Sequence, residues 1–285
     1  MDRGILKCQC TFSYEVVTVE VENGCNQELP TPNNNYVSNI KQNGHSIEPM
    51  NQIPGYLSIY AIFQIIGIFL ILSVFLWLQI YRTGFGFSGT IHICNWHPLL
   101  MTITFIYLFA NSILHFRNFR NTTKRKLKMQ HATIHSCIVI FGVLGIWTGL
   151  NSNLIANPPI PKFYSLHSWL GIITVIIFLS QFTSGFISFV YPEIGIRYKK
   201  VMMPYHIIFG ILTFVLSIIT SVLGFSEKII FALNHQYEHM PTEGLFLNFV
   251  GIVLIIYGIL VVYILIKPEY KRSSKPNDGV TNNRT

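Results

Sequence analysis

LHSWLGIITVIIFLSQFTSGFISFVY, residues 166–191, is the stretch that decides the fold. It contains no Asp, Glu, Lys or Arg, and about twenty apolar residues in a helix cross the hydrocarbon core of a bilayer. Near its start lies His167, an ionisable side chain in an otherwise apolar run. Such residues are rare at membrane depth and usually mark a functional site. The stretch therefore predicts a membrane-spanning helix with a functional histidine near one end.

Similar apolar runs lie on both sides of this stretch. In all, the runs cover residues 57–80, 98–116, 132–150, 166–191, 202–224 and 245–266. The chain is 51% hydrophobic and 11% charged, with a mean hydropathy of +0.45, whereas soluble domains carry about 25% charged residues. We expect an all-α, multi-pass membrane protein, in which residues 56–267 form a bundle of six transmembrane helices.

Basic residues are distributed unevenly between the ends of these runs. One group follows the second run, the fourth run and the sixth run: Arg117, Arg120, Lys124, Arg125, Lys126, Lys128, Arg197, Lys199, Lys200, Lys267, Lys271, Arg272 and Lys275. The other three loops are assigned one basic residue each, namely Arg82, Lys162 and Lys228. Cytosolic loops are enriched in Lys and Arg, so both termini are predicted to be cytosolic. The net charge of +8 then reflects topology rather than binding to nucleic acid.

The two ends of the chain lie outside the apolar runs. Residues 1–55 are expected to form a mostly flexible cytosolic extension, and residues 268–285 a basic cytosolic tail. TFSYEVVTVEVE, residues 11–22, alternates like a β-strand, but we expect no partner strand for it. Cys8, Cys10 and Cys25 could bind a metal or form disulfides, although three thiols without a fourth ligand make a poor zinc site.

Four successive runs have a histidine near their start: His97, His131, His167 and His206. Because consecutive spans run in opposite directions, His97 and His167 are expected near the outer face, and His131 and His206 near the inner face. Two imidazoles at one depth on separate helices can hold one iron porphyrin between their neutral nitrogens. The pattern predicts two haem b groups and an electron path across the bilayer.

Other histidines and several glycines are less specific. His135, one turn after His131, could line the inner haem pocket. Histidines in predicted loops or at span ends are expected in solvent, namely His92, His115, His235 and His239. Glycines within the spans allow close approach either of another helix or of a flat ring, and both interpretations stay open. These are Gly142, Gly145, Gly149, Gly171, Gly185 and Gly210.

Several motifs resemble the cytochrome b561 family of transmembrane ascorbate-dependent oxidoreductases. They are NWHPLLM at 95–101, HFRNFR at 115–120, KRKLKMQH at 124–131, FYSLHSWLG at 163–171 and MPYHIIFG at 203–210. YRTGFGFSG, residues 81–89, resembles animal members in particular. The resemblance runs from about Tyr81 to Phe231. It implies a six-helix bundle in which the four histidines are axial ligands of two haem b groups. It also implies ascorbate as the cytosolic donor, and monodehydroascorbate or a ferric chelate as the outer acceptor.

The resemblance further implies a donor site on the cytosolic side. Family residues that hold ascorbate and haem propionates match Arg117, Arg120, Lys124 and Lys128, and Lys199 replaces an arginine seven residues before His206. A cationic funnel would raise the local concentration of ascorbate, which is a monoanion at neutral pH. The alternative is that these charges only set the topology.

On the outer side, the resemblance places Tyr164 and Ser165 beside the haem of His97 and His167. Similar ferric reductases carry histidines where this chain has Ile80 and Leu150, so an iron site built from outer histidines is not expected. Lys162 could instead attract an anionic acceptor. Family membership would also imply a homodimer, in the plasma membrane or in a secretory or endolysosomal membrane.

Other functions remain open. A haem-free transporter or scaffold could use the histidines for proton relay or packing, and a relay subunit could depend on a partner reductase. A flavin-fed reductase is disfavoured because no G-x-G-x-x-G motif occurs between a strand and a helix.

Overall fold

The computed structural model describes residues 7–12, 15–20, 53–87, 90–155, 163–192 and 194–272. Its contacts divide the chain into two units, residues 1–46 and 47–285. In the first unit, strand β1 (Lys7–Phe12) pairs antiparallel with strand β2 (Glu15–Glu20). The predicted strand is confirmed for Glu15–Glu20, but the expectation that it has no partner is wrong, since the residues just before it supply one. Cys8 and Cys10 belong to β1, and Cys25 lies outside the described residues.

In the second unit, the described residues contain six helices long and apolar enough to cross a membrane. The spans, numbered first to sixth, are Tyr56–Tyr81, His92–Asn118, Lys124–Asn151, Leu166–Phe189, Ile196–His239 and Thr242–Ile266. The prediction of six spans is therefore confirmed. Large apolar side chains such as Ile65, Ile176 and Ile256 are exposed on the outside of the bundle, as expected for surfaces that contact lipid.

The most extensive contacts between helices join particular pairs of spans. The second span contacts the third, the fourth contacts the fifth, and the sixth contacts both the fifth and the first. The first and sixth spans are also joined by polar contacts at one end of the bundle. Glu243 accepts a hydrogen bond from Trp77 Nε1 at 2.8 Å and forms an ion pair with Arg82. This buried carboxylate fixes the sixth span relative to the first.

The second span is not a single α-helix. It begins as a 3-10 helix (Ile91–Asn95), continues as an α-helix (Trp96–Met101), widens into a π-helix (Thr102–Leu108) and ends as an α-helix (Phe109–Asn118). The hydroxyls of Thr102 and Thr104 donate to carbonyls one turn earlier, at 2.7 and 2.6 Å. π-Helical turns are uncommon and occur frequently at functional sites.

Two helices extend beyond the apolar runs that predicted them. The helix of the third span covers Lys124–Ile155, and that of the fifth covers Ile196–Leu233 with Pro204 inside it. Basic residues expected in loops therefore lie on helices: Lys124, Arg125, Lys126, Lys128, Arg197, Lys199, Lys200 and Lys228. Hydropathy detects only the hydrocarbon core, whereas a helix can continue into the interface, where charged side chains are tolerated.

Candidate functional site

The four histidines form two pairs. The ring centroids of His97 and His167 are 6.0 Å apart with 89° between the planes, and those of His131 and His206 are 6.4 Å apart with 72° between the planes. Each pair joins different spans, the second with the fourth and the third with the fifth. We call the two ends of the bundle the His97 end and the His131 end. This is the grouping that the alternating span directions predict.

Each pair has the spacing that one metal ion between two imidazoles requires. Two metal–imidazole bonds of about 2 Å on opposite sides of an iron, extended to the ring centres, span roughly 6 Å. In the part of the chain that the structure describes, no three His, Cys, Asp or Glu side chains gather as a metal site. Two protein ligands for each iron fit a haem, in which the porphyrin supplies the remaining coordination.

Three of the four imidazoles are oriented by a backbone carbonyl on a neighbouring span. These Nδ1–oxygen contacts are His97 to Gly145 at 2.9 Å, His131 to Ser112 at 2.9 Å and His167 to Thr220 at 2.8 Å. Because a carbonyl only accepts hydrogen bonds, Nδ1 carries the hydrogen and Nε2 keeps its lone pair. The three rings are thus held in the tautomer that binds a metal through Nε2.

His206 differs from the other three. Its Nδ1 is buried without a hydrogen-bond partner among the described residues, and its ring packs against Phe189 at a centroid distance of 5.5 Å. Pro204, two residues earlier, also removes a backbone donor from the same helix. The orientation of His206 therefore depends on packing rather than on a hydrogen bond.

Glycines on neighbouring spans contact three of the imidazoles. An added Cβ would approach the ring atoms closely: Gly149 to His97 Nδ1 at 2.9 Å, Gly185 to His206 Cε1 at 2.7 Å and Gly224 to His167 Cε1 at 2.8 Å. Any side chain there would displace the ring. For Gly149 and Gly185, which the sequence left open, the nearest neighbour of an added Cβ is a histidine ring on an adjacent span. Gly224 was missed because nothing in its sequence context distinguishes it from a packing glycine.

Aromatic rings fill the space between the two histidine pairs. Phe109 lies 5.5 Å from Phe178 and 5.8 Å from Phe214, and Phe105 lies 5.1 Å from Phe178, all measured between ring centroids. The buried ring of His135 joins this cluster at 5.3 Å from Phe109. The same ring is 4.4 Å from that of His131. His135 thus lies beside His131, as its position one turn later suggested, whereas the phenylalanines could not be singled out in a chain with 22 of them.

Two of the arginines predicted to bind ascorbate contact the segment that follows the sixth span. Arg117 Nη1 donates to the carbonyl oxygen of Lys267 at 2.8 Å, and Arg120 Nη1 reaches that of Glu269 at 3.5 Å. Arg120 is 6% exposed, so little of it is available to a ligand from solution. Arg117 is half-buried and lies closer to solvent.

Three lysines of the predicted donor site share helix faces with histidines. Lys124 and Lys128 precede His131 by seven and three residues, and Lys199 precedes His206 by seven. Residues three or seven apart lie on one side of a helix. Lys124 is exposed, and Lys128 and Lys199 are half-buried. The continuous helices therefore place a cationic rim at the His131 end.

The remaining candidates have other surroundings. The Ser165 hydroxyl caps the fourth span by accepting from the backbone N–H of Ser168 at 3.2 Å, and Tyr164 is 84% exposed. Lys162 lies outside the described residues. His115, expected in solvent, is instead buried, and its Nε2 contacts Gln130 Oε1 at 2.9 Å; the helix of the second span simply carries it into contact with the third.

Comparisons with known proteins identify the family of this chain. A family model described as eukaryotic cytochrome b561 matches residues 96–232. The transmembrane ascorbate-dependent reductase CYB561 of Sus scrofa is 32% identical over 220 residues, which cover 77% of this chain and 86% of that protein. The lysosomal membrane ascorbate-dependent ferrireductase CYB561A3 of Homo sapiens is 33% identical over 216 residues, covering 73% and 86% respectively. With six membrane-spanning helices and this similarity over most of its length, the chain belongs to the eukaryotic cytochrome b561 family.

Proposed function

We propose that this protein is a transmembrane ascorbate-dependent oxidoreductase, which carries electrons through two haem b groups from the His131 end to the His97 end. The observation that carries the proposal is the pairing of the four histidines at 6.0 and 6.4 Å. Membership of the family implies haem b, and the number two rests on the two pairs. When bound, each haem supplies a one-electron carrier.

The protein supplies the positions and orientations of these carriers. His97 and His167 would hold one haem, and His131 and His206 would hold the other. Carbonyl contacts fix three of the rings, and the aromatic cluster around Phe109 excludes water from the space between the pairs. The space between the two histidine pairs is therefore an apolar layer of phenylalanine rings.

The His131 end is the proposed donor end. Ascorbate is an anion that loses one electron and one proton on oxidation, and Lys124, Lys128 and Lys199 present positive charge beside that histidine pair. Relatives named ascorbate-dependent reductases support the choice of donor. Basic residues concentrated at this end favour the cytosolic side for it, and we propose on that ground that both termini are cytosolic.

The His97 end is the proposed acceptor end. A ferric chelate or monodehydroascorbate would accept one electron there; the relative named a lysosomal ferrireductase supports the former and is compatible with an endolysosomal membrane. We propose a homodimer by analogy with the family.

Haem content and directed reduction test this function. Purified protein should contain two haem b groups, and His97→Ala and His131→Ala should each lose one, whereas His235→Ala, at an exposed position, should keep both. Proteoliposomes loaded with ascorbate should reduce external ferric citrate when the His131 end faces inward. Protein that lacks a Soret band after expression with ample haem would instead support the haem-free transporter.

A further inference from the structure

Lys228 lies on the fifth span at the His97 end of the bundle. It is on the fifth-span helix one turn beyond Gly224, where an added Cβ would lie 2.8 Å from His167 Cε1. Its Nζ is 3.9 Å from Sγ of Cys94, three residues before His97 on the second span. Lys228 is thus one helical turn from a residue beside His167 and contacts a residue three positions before His97.

Among the described residues, the ammonium group of Lys228 has only the Cys94 thiol as a hydrogen-bond partner. A thiol is a weak hydrogen-bond acceptor, and among the described residues no carboxylate pairs with Lys228. The other described basic residue of this end, Arg82, is already neutralised by Glu243. Lys228 is half-buried, and removing an ammonium from water without a compensating anion costs free energy. The position therefore favours binding of an anion.

We propose that Lys228 binds a carboxylate at the His97 end, and that this contact helps to hold either an anionic acceptor or the haem itself. The proposal rests on the proposed function, which places a haem between His97 and His167. A haem propionate and a carboxylate chelate of ferric iron present the same group to an ammonium. Lysine binds such groups as a point charge, so one lysine at the edge of the pocket is sufficient to bind one carboxylate.

The test uses full-length protein in proteoliposomes, with Lys228→Gln and Lys228→Arg as variants. Lys271→Gln serves as the matched control, since it removes one lysine charge from an exposed position at the opposite end. Three quantities are measured: the KM for ferric citrate, the KM for the cationic acceptor hexaammineruthenium(III), and the midpoint potentials of both haems by mediated titration.

Binding of the acceptor predicts that Lys228→Gln raises the KM for ferric citrate about three- to tenfold, leaves the KM for the cation unchanged or lower, and leaves both potentials unchanged. Binding of the propionate predicts a lower potential of one haem, because a positive charge that favoured the reduced state has been removed, and similar effects on both acceptors. Lys228→Arg should restore either behaviour.

The proposal is overturned if Lys228→Gln changes neither KM nor potential relative to Lys271→Gln. Mediated titration does not need ascorbate, so a failure of ascorbate to reduce the haems would count against the proposed function alone.

Discussion

At the residue scale, the histidine pairs depend on two kinds of contact that side-chain identity does not reveal. One is the backbone carbonyl that orients Nδ1, and the other is the glycine that leaves room for the ring. Every residue has a carbonyl, so a sequence gives no sign that those of Gly145, Ser112 and Thr220 contact histidines. The pairing of the four histidines could be predicted, because four histidines at the starts of apolar spans are unusual and the spans alternate in direction.

The glycine contacts can be tested by adding a single methyl group. In Gly224→Ala the new Cβ would lie 2.8 Å from His167 Cε1, so the ring must move from the position in which it pairs with His97. We expect haem content to fall towards one per chain, with the haem between His131 and His206 retained. The pyridine haemochrome assay with a redox titration measures both the amount and the identity of the remaining haem.

Gly210→Ala is the matched control, since a Cβ at that position meets nothing within 4 Å. It places the same substitution on the same helix, and alanine has the higher helix propensity. Two haems are expected in this variant. Equal haem content in Gly224→Ala and Gly210→Ala would show that the glycine is not needed to accommodate the imidazole.

At the element scale, the number of spans could be predicted but their limits and internal geometry could not. The third and fifth helices continue beyond the hydrocarbon core, so charged residues such as Lys128 and Lys228 that end an apolar run do not end the helix. The π-helix at Thr102–Leu108 has no sequence signal, because its residues are as apolar as those of an α-helical span. Tertiary contacts decide both features.

A polar network joins the first and second spans and gives a second prediction. Gln64 Nε2 donates to Tyr60 Oη at 2.7 Å and to Asn111 Oδ1 at 2.8 Å, and Gln64 Oε1 accepts from Tyr107 Oη at 2.8 Å. Gln64→Leu would leave three polar groups without this partner. We expect the free energy of unfolding to fall by about 1–2 kcal/mol, with haem content unchanged, as measured by thermal denaturation in detergent.

Gln181 provides the contrast, because its Oε1 is buried without a hydrogen-bond partner in the described structure. Replacing an amide whose oxygen is buried without a partner by an apolar group of similar size should be neutral or stabilising. Gln181→Leu should therefore match or exceed the wild-type melting temperature. If both substitutions lowered it equally, loss of volume or shape rather than loss of the network would explain the effect.

At the scale of the whole molecule, the two ends differ in charge. The His131 end carries the lysines that share faces with its histidine pair, whereas the described His97 end has Arg82, neutralised by Glu243, and Lys228. An anionic donor is therefore attracted to one end, and that attraction is long-range. Because the Debye length falls from about 10 Å at 0.1 M salt to about 3 Å at 1 M, salt should weaken it.

The rate of haem reduction by ascorbate should accordingly fall several-fold between about 0.05 and 1 M salt, whereas reduction by an uncharged hydroquinone should change little. Stopped-flow absorbance at the haem α-band measures both rates. The double variant Lys124→Gln and Lys128→Gln should flatten the salt dependence for ascorbate, because it removes two charges of the rim. An unchanged salt dependence in that variant would show that these lysines set topology alone, and the donor would then have to be attracted by other groups at that end.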